Sequence, residues 1–497
     1  MKGATLPEDL AALRNEIRGY AVDFGLDFFE VVFEMVDYDE MNMIASYGGF
    51  PNRYPHWKFG MQYEELQKSY SYGLSKIYEL VINNDPCYAY LMRANSFVAQ
   101  KLVMAHVYGH SDFFKNNAWF ANTNRKMVDE IANHATRVRR YIDEHGQETV
   151  ESFIDCVLSL ENLIDVYAPY AVRESTPNED QQEAEKRDVQ GRKFRAKPYM
   201  EAFINPPHVV EAERRRKLED LARQERFPTR PARDVLGFVI QHAPLKRWQR
   251  DIVSIIRQES YYFAPQRMTK IMNEGWASYW HSRIMTSKAM KASEVVDYAE
   301  MHSGTMGSSP GVLNPYKVGL ELFRDIEERW DRGRFGVEYD ECDDYDRKRN
   351  WDLRTGLGKQ KIFQVRKIYN DITFVDEFLT EEFCEQHKLF TYRFDRQAGS
   401  YVIDSRDFRA VKTKLLDGLA NFGLPVILVD DGNFRNRGEL HLTHEESESP
   451  LRMDYARATL ENLFRIWARP VHLETTAEGK KKLLSFDGAR HEEKVSG

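Results

Sequence analysis

The stretch Phe97–Phe114, FVAQKLVMAHVYGHSDFF, decides how this chain is to be read. Its apolar residues recur at helical spacing, and His106 and His110 stand four apart. On a helix those two imidazoles lie one above the other on a single face. Two imidazoles so placed can share one metal ion. With 14 His in 497 residues such a pair also arises by chance, so its surroundings must carry the argument. Ser111 and Asp112 follow at once, and a carboxylate just past a ligand turn is placed to hold a ligand's orientation. Upstream, Tyr78–Ile82 reads as a strand halted by Asn83-Asn84-Asp85-Pro86. From Ala89 onward the pattern reads as helix.

A second segment supplies the missing donor. Met268, Ile271, Met272, Trp276, Tyr279 and Trp280 define a helix with a heavy apolar face, and Asn273-Glu274-Gly275-Trp276-Ala277 lies within it. A carboxylate on such a helix is costly unless paired or ligated. The small residues Gly275 and Ala277 leave room for another element to approach. Glu274 therefore completes a triad of His106, His110 and Glu274, the donor set of catalytic zinc with one position open. Trp276 and Trp280 read as core. His281, two turns past Glu274 on the same face, and His302 are candidates for a further ligand or a proton donor. Glu259 is a candidate base if the chain kinks at Pro265.

Composition bounds the rest. Hydrophobic residues make up 42% and charged residues 30%, which describes a folded globular chain of two to four domains. The formal charge is −8, against general nucleic-acid binding. Apolar runs such as Leu424–Val429 fall far short of a membrane span, and the first residues lack a secretory pattern. Four scattered Cys form no disulfide framework, and a reducing cytoplasm is the expected compartment.

Outward from the two segments, 8–35 reads as helix and 38–60 as a Gly- and aromatic-rich loop. Two helices are expected over 126–170. The charged stretch 172–234 reads as a solvated insertion, or else as a docking surface. Dense helical patterning returns at 235–300. The polar run at 330–360 suggests a boundary between a mainly helical domain (1–345) and an α+β domain (360–497), an α+β chain overall. In the second domain, 390–404 alternates like a hairpin, Ser405 is placed to cap a helix, and 425–429, 440–444 and 471–475 are strands around a helix at 453–469. Asp430-Asp431-Gly432-Asn433 reads as a turn, since its spacing does not fit a calcium loop. His441 and His444, three apart on a strand, face opposite sides. Walker, GxGxxG and GxSxG signatures are absent.

Four segments resemble the SpoVR (stage V sporulation protein R) family: HVYGHSDFFKNN (His106–Asn117), QRMTKIMNEGWASYWH (Gln266–His281), YAEMHSG (Tyr298–Gly304) and ANFGLPVILVDDGN (Ala420–Asn433). The resemblance implies a link to assembly of the spore cortex, a peptidoglycan layer. It also implies partnership with a PrkA-type serine kinase and a von Willebrand-factor-like protein, and a divergent zincin-type metallopeptidase fold. In such enzymes an edge strand near the two-His helix binds extended substrate. The usual motif is H-E-x-x-H, its Glu the general base, and here Val107 holds that position. Three functions follow as expectations. One is a zinc-dependent hydrolase of peptide or amide bonds, acting on a peptide or peptidoglycan-precursor-like substrate. Another is a non-haem Fe²⁺ redox enzyme, for which Val107 is no defect. The third is a non-catalytic scaffold in a sporulation or stress complex.

Overall fold

A computed structural model describes residues 6–71, 79–171 and 227–496, save 308, 398, 446–450 and 478, with a few positions between 206 and 215. Most of the expected insertion at 172–234 therefore lies outside the described residues. In chain order the main elements are α1 (Glu8–Asp23), β1 (Val31–Val36), α2 (Tyr38–Ser46), α3 (Trp57–Ser71), β2 (Glu79–Ile82), β3 (Cys87–Met92), α4 (Phe97–Asn116), α5 (Met127–His145) and α6 (Gln147–Leu158). They continue as α7 (Val235–His242), α8 (Arg247–Met268), α9 (Lys270–Ile284), α10 (Val295–Thr305), α11 (Pro315–Asp331), α12 (Gly358–Ile368) and α13 (Asp371–Phe378). The last are β4 (Thr391–Asp395), β5 (Ser400–Ser405), α14 (Phe408–Leu419), β6 (Ile427–Phe434), β7 (Glu439–His444), α15 (Met453–Trp467), β8 (Val471–Ala477), β9 (Lys480–Phe486) and β10 (His491–Ser496). The class is α+β.

The chain forms two compact units, Met1–Glu151 with Tyr261–Gly423, and Ser152–Ser260 with Leu424–Gly497. The expected boundary near 345–360 falls inside the first unit, because α12 packs on α11. Three other local expectations change. Residues 8–35 are not one helix: Gly25, at φ +88°, ends it, and β-branched Val31-Val32 opens β1. The expected loop at 38–60 holds α2, started by a capping box between Asp37 and Glu40, and the beginning of α3. The helix read from Ala89 begins only at Phe97, where Ser96 accepts from the Ala99 N–H; Cys87–Met92 is a strand buried on both faces.

In the first unit, β3 lies between β1, to which it runs parallel, and β2, antiparallel. The core is built by α4 and α9, each buried on nearly every side. Trp276, Tyr279 and Trp280 of α9 pack with Phe323 of α11 and Phe363 of α12. Where these helices cross, glycine lets the backbones touch. A Cβ on Gly109 would sit 2.7 Å from Ala277 Cα, and one on Gly275 would sit 2.4 Å from Gly319 Cα. The room foreseen beside Gly275 and Ala277 is thus taken by α11 and α4. At the start of α9, Thr269 provides no side-chain cap. Asp371 of α13 does so instead, accepting from Ile271 N–H at 2.8 Å and Met272 N–H at 2.9 Å.

The second unit carries a five-stranded sheet, ordered β10-β9-β8-β7-β6 and antiparallel except for β7 beside β8. Helix α15 makes the crossover between those parallel strands, burying Leu460, Leu463 and Ile466. Asp430–Asn433 belongs to β6, and the turn follows at Arg435–Gly438, where the positive φ values lie. Within the first unit, Ser405 closes β5, and Asp407 caps α14 by accepting from Ala410 N–H. No helix among the described residues is long and apolar enough to cross a membrane.

Candidate metal centre

Close contact between α4 and α9 sets the distances in the site. Gly109 lies between the two histidines, and its lack of a side chain brings α9 near enough for Glu274 to face both rings. His110 Nε2 stands 3.5 Å from Glu274 Oε2, and His106 Nε2 stands 3.7 Å from the same oxygen. These are too long for charge-assisted hydrogen bonds, which run about 2.7–2.9 Å. They match two donors around one ion: ligands each about 2.0–2.1 Å from zinc in tetrahedral array stand roughly 3.4 Å apart. Among the described residues His106, His110 and Glu274 are the one set of His, Cys, Asp or Glu placed to hold a metal. Glu274 Oε2 is buried with no hydrogen-bond partner, the condition a cation would relieve.

The other ring nitrogens are held from behind. His110 Nδ1 is 2.9 Å from Asn273 Oδ1, and His106 Nδ1 is 2.9 Å from His281 Nδ1. His281 Nε2 in turn is 3.4 Å from His302 Nδ1. Burial pushes His281 well below the usual imidazole range, and His106 and His302 push it further the same way, so it is neutral. Burial also lowers His302. At Glu274 burial pushes the carboxyl upward; N–H donation and positive charge from His106 and His110 bring it below the ordinary range and keep it ionised, and a cation held between the three side chains supplies the same pull when the ring nitrogens face it unprotonated. Tyr316 stacks on His106, ring centroids 6.2 Å apart.

The structure brings together His106, His110, Glu274, His281 and His302. Glu259 is buried on α8, and α8 runs on through Pro265 to Met268 without the kink on which its candidacy as base depended. Asn273 and Tyr316 were not anticipated. Asn273 is next to Glu274 in sequence, but only the helix crossing turns it to His110.

Asp112 touches neither histidine. It accepts from Trp276 Nε1 at 2.8 Å and Asp27 N–H at 2.8 Å, and lies 3.4 Å from the Arg366 guanidinium. It ties α4 to α9 and α12 below the site. Burial raises it to about 6, with Arg366 pulling the other way. A raised acid contributes stability in full below its unfolded value, and that contribution is lost as pH rises through about 6. Wild type should therefore gain on Asp112→Asn by on the order of 2 kcal/mol between pH 7 and pH 4, read from paired denaturant titrations. Asp112→Ala, which strands Arg366 in the interior, should cost about 3–5 kcal/mol at pH 7.

Comparisons with known proteins agree with the four segments. The chain is 29% identical to an Escherichia coli (strain K12) protein named "Uncharacterized protein YcgB", over 500 aligned positions covering 94% of this chain and 92% of the relative. No solved structure matches significantly. Residues 5–424 match the family model described as SpoVR like protein, and residues 425–478 match the SpoVR-like C-terminal domain. With its matches running from residue 5 to residue 478, the chain belongs to the SpoVR-like family.

Proposed function

We propose that this chain is a metal-dependent hydrolase of peptide or amide bonds, with His106, His110 and Glu274 holding zinc. The observation that carries the reading is the environment of His110. Asn273 Oδ1 faces its Nδ1 at 2.9 Å, and the tautomer that donates Nδ1–H to this amide oxygen leaves the Nε2 lone pair for a metal. Its Nε2 then directs a lone pair at the ionised Glu274, and two lone pairs facing each other at 3.5 Å call for a cation between them. His106 Nδ1 faces His281 Nδ1 at 2.9 Å, and the tautomer pair in which His106 donates and His281 accepts leaves His106 Nε2 for the metal and puts the His281 proton on Nε2, toward His302. Both ligand rings are thereby fixed by partners behind them, as metal-bound histidines usually are.

Zinc at this position supplies Lewis acidity and a bound water acidified to near neutrality. Handling the proton falls to the chain. Val107 is fully buried in the apolar core, so no base replaces the usual Glu at its own position. His281 and His302 are the titratable groups in line with the site, and we assign them that role. Among the described residues β2 is an edge of its sheet, suited to pairing with an extended peptide. Through membership of the SpoVR-like family the proposal extends to a divergent zincin-type fold, a peptidoglycan-precursor-like substrate, and a cortex or cell-envelope role beside a PrkA-type kinase and a von Willebrand-factor-like protein.

The burial of Val107 also favours a second reading. Two His and one carboxylate, without a base at the water, is the donor set of non-haem Fe²⁺ oxygenases. Zinc- and iron-loaded protein, assayed on stem-peptide amides with and without oxygen, separates the two. The hydrolase reading expects amine release with zinc, independent of oxygen and lost in Glu274→Gln. Turnover only with iron and oxygen would replace it with the redox reading.

A further inference from the structure

The histidine series leads from the site to a cavity of about 560 Å³ in the first unit. His302 lines it together with Arg283 of α9 and Arg324 of α11. Past Ile284, α9 widens into a π-helical turn, Met285–Ala289, and that turn brings Thr286 and Ser287 to the cavity wall. Turns of this kind recur at functional sites. The two guanidinium side chains are 41% and 44% exposed, so solvent reaches them. Glu327, the carboxylate in the wall, is already engaged: it pairs with Arg283 at 2.7 Å and accepts from Tyr279 Oη at 2.5 Å. Arg324 gives one nitrogen to Glu321, a neighbour on its own helix at 2.9 Å, and another to Ser282 Oγ at 3.3 Å. A guanidinium carries five N–H donors in a fork suited to oxyanions. An exposed ion pair three residues apart is weak enough for a ligand to displace.

We infer that this cavity binds an oxyanion, a phosphate or carboxylate group of the substrate, through Arg324 and Arg283 with Ser287 as hydroxyl donor, the Thr286 hydroxyl being donated to Ser282 O at 2.8 Å. His302 is its border with the metal centre. The ligand's standing as part of the substrate rests on the hydrolase reading; the binding of an anion does not. An anion held here places the rest of the substrate beside the His302–His281–His106 series.

The test is calorimetric titration of the full chain with inorganic phosphate and, separately, with acetate, using chloride at matched ionic strength as the blank. Saturable binding of either probe is expected, the stronger of the two naming the headgroup. Arg324→Ala should weaken it by on the order of tenfold or more. Because Arg324 also braces α9, Ser287→Asp provides a second variant: at an exposed position it sets a like charge in the cavity, and about a tenfold loss is expected. Anion binding should persist in His106→Ala and metal binding in Ser287→Asp, so the two readings fail separately. Binding no stronger than the chloride blank, or binding of equal strength in wild type, Arg324→Ala and Ser287→Asp, would overturn the inference.

Discussion

Gly275→Ala is expected to destabilise the protein by about 3 kcal/mol and to spoil the metal site with it. Alanine is ordinarily the better helix residue, by about 1 kcal/mol. Here the sign reverses because of what the new methyl meets. It would stand 2.4 Å from both Cα and the carbonyl carbon of Gly319, where carbon atoms rest at about 3.5–4.0 Å. Neither neighbour is a side chain that could rotate away, so α9 and α11 must part by more than an ångström. Glu274 is the preceding residue, and any shift of α9 changes its distance to His106 and His110. Gly319→Ala should behave alike, since its Cβ would press on Ile271 O and Gly275. Gly19→Ala is the control: it is exposed on α1 with nothing near its Cβ, and should stabilise by about 0.5–1 kcal/mol. Thermal or denaturant unfolding of the three variants reads all three signs. Equal behaviour of Gly275→Ala and Gly19→Ala would show that the helices do not meet as described.

Glu274→Gln should separate a metal centre from an ordinary buried ion pair, because the two predict opposite changes in the metal-free protein. In a metal centre, the apo site confronts the lone pairs of His106 and His110 with an anion. A Gln amide donates to them, so the metal-free variant should be more stable than wild type by about 1 kcal/mol. It should also bind metal more than about 100-fold more weakly, since altering even the groups behind a ligand costs about 10–100-fold. If Glu274 were held by protonated histidines, removing its charge would leave them buried and unpaired, and stability would fall by several kcal/mol. Chelator-treated samples of wild type and variant, unfolded side by side and then titrated with zinc, give both readouts.

The triad was legible because its residue types are rare on apolar helices. His106 and His110 announce themselves by spacing, and Glu274 by sitting among Ile271, Met272 and Trp276, where a lone carboxylate is costly. Gly275 even signalled a close approach, though which helix fills the room is a tertiary fact that no local pattern contains. The strands β1 and β3 were missed for a related reason. A short apolar run such as Cys87–Met92 is compatible with either helix or buried strand, and pairing of β3 with β1 decides it. Asp112 shows the limit of adjacency: it follows His110 by two residues, yet the helix turns it away from the rings to Trp276 and Arg366. The division into units was hidden because each is built from two separated stretches of chain.

The central claim is that His106, His110 and Glu274 hold one metal ion, and elemental analysis of untagged wild-type protein beside His106→Ala tests it most directly. About one zinc or iron per chain in wild type, lost in a variant that remains folded by circular dichroism, is the predicted result. Metal absent from both samples after reconstitution, or retained equally in both, would contradict it.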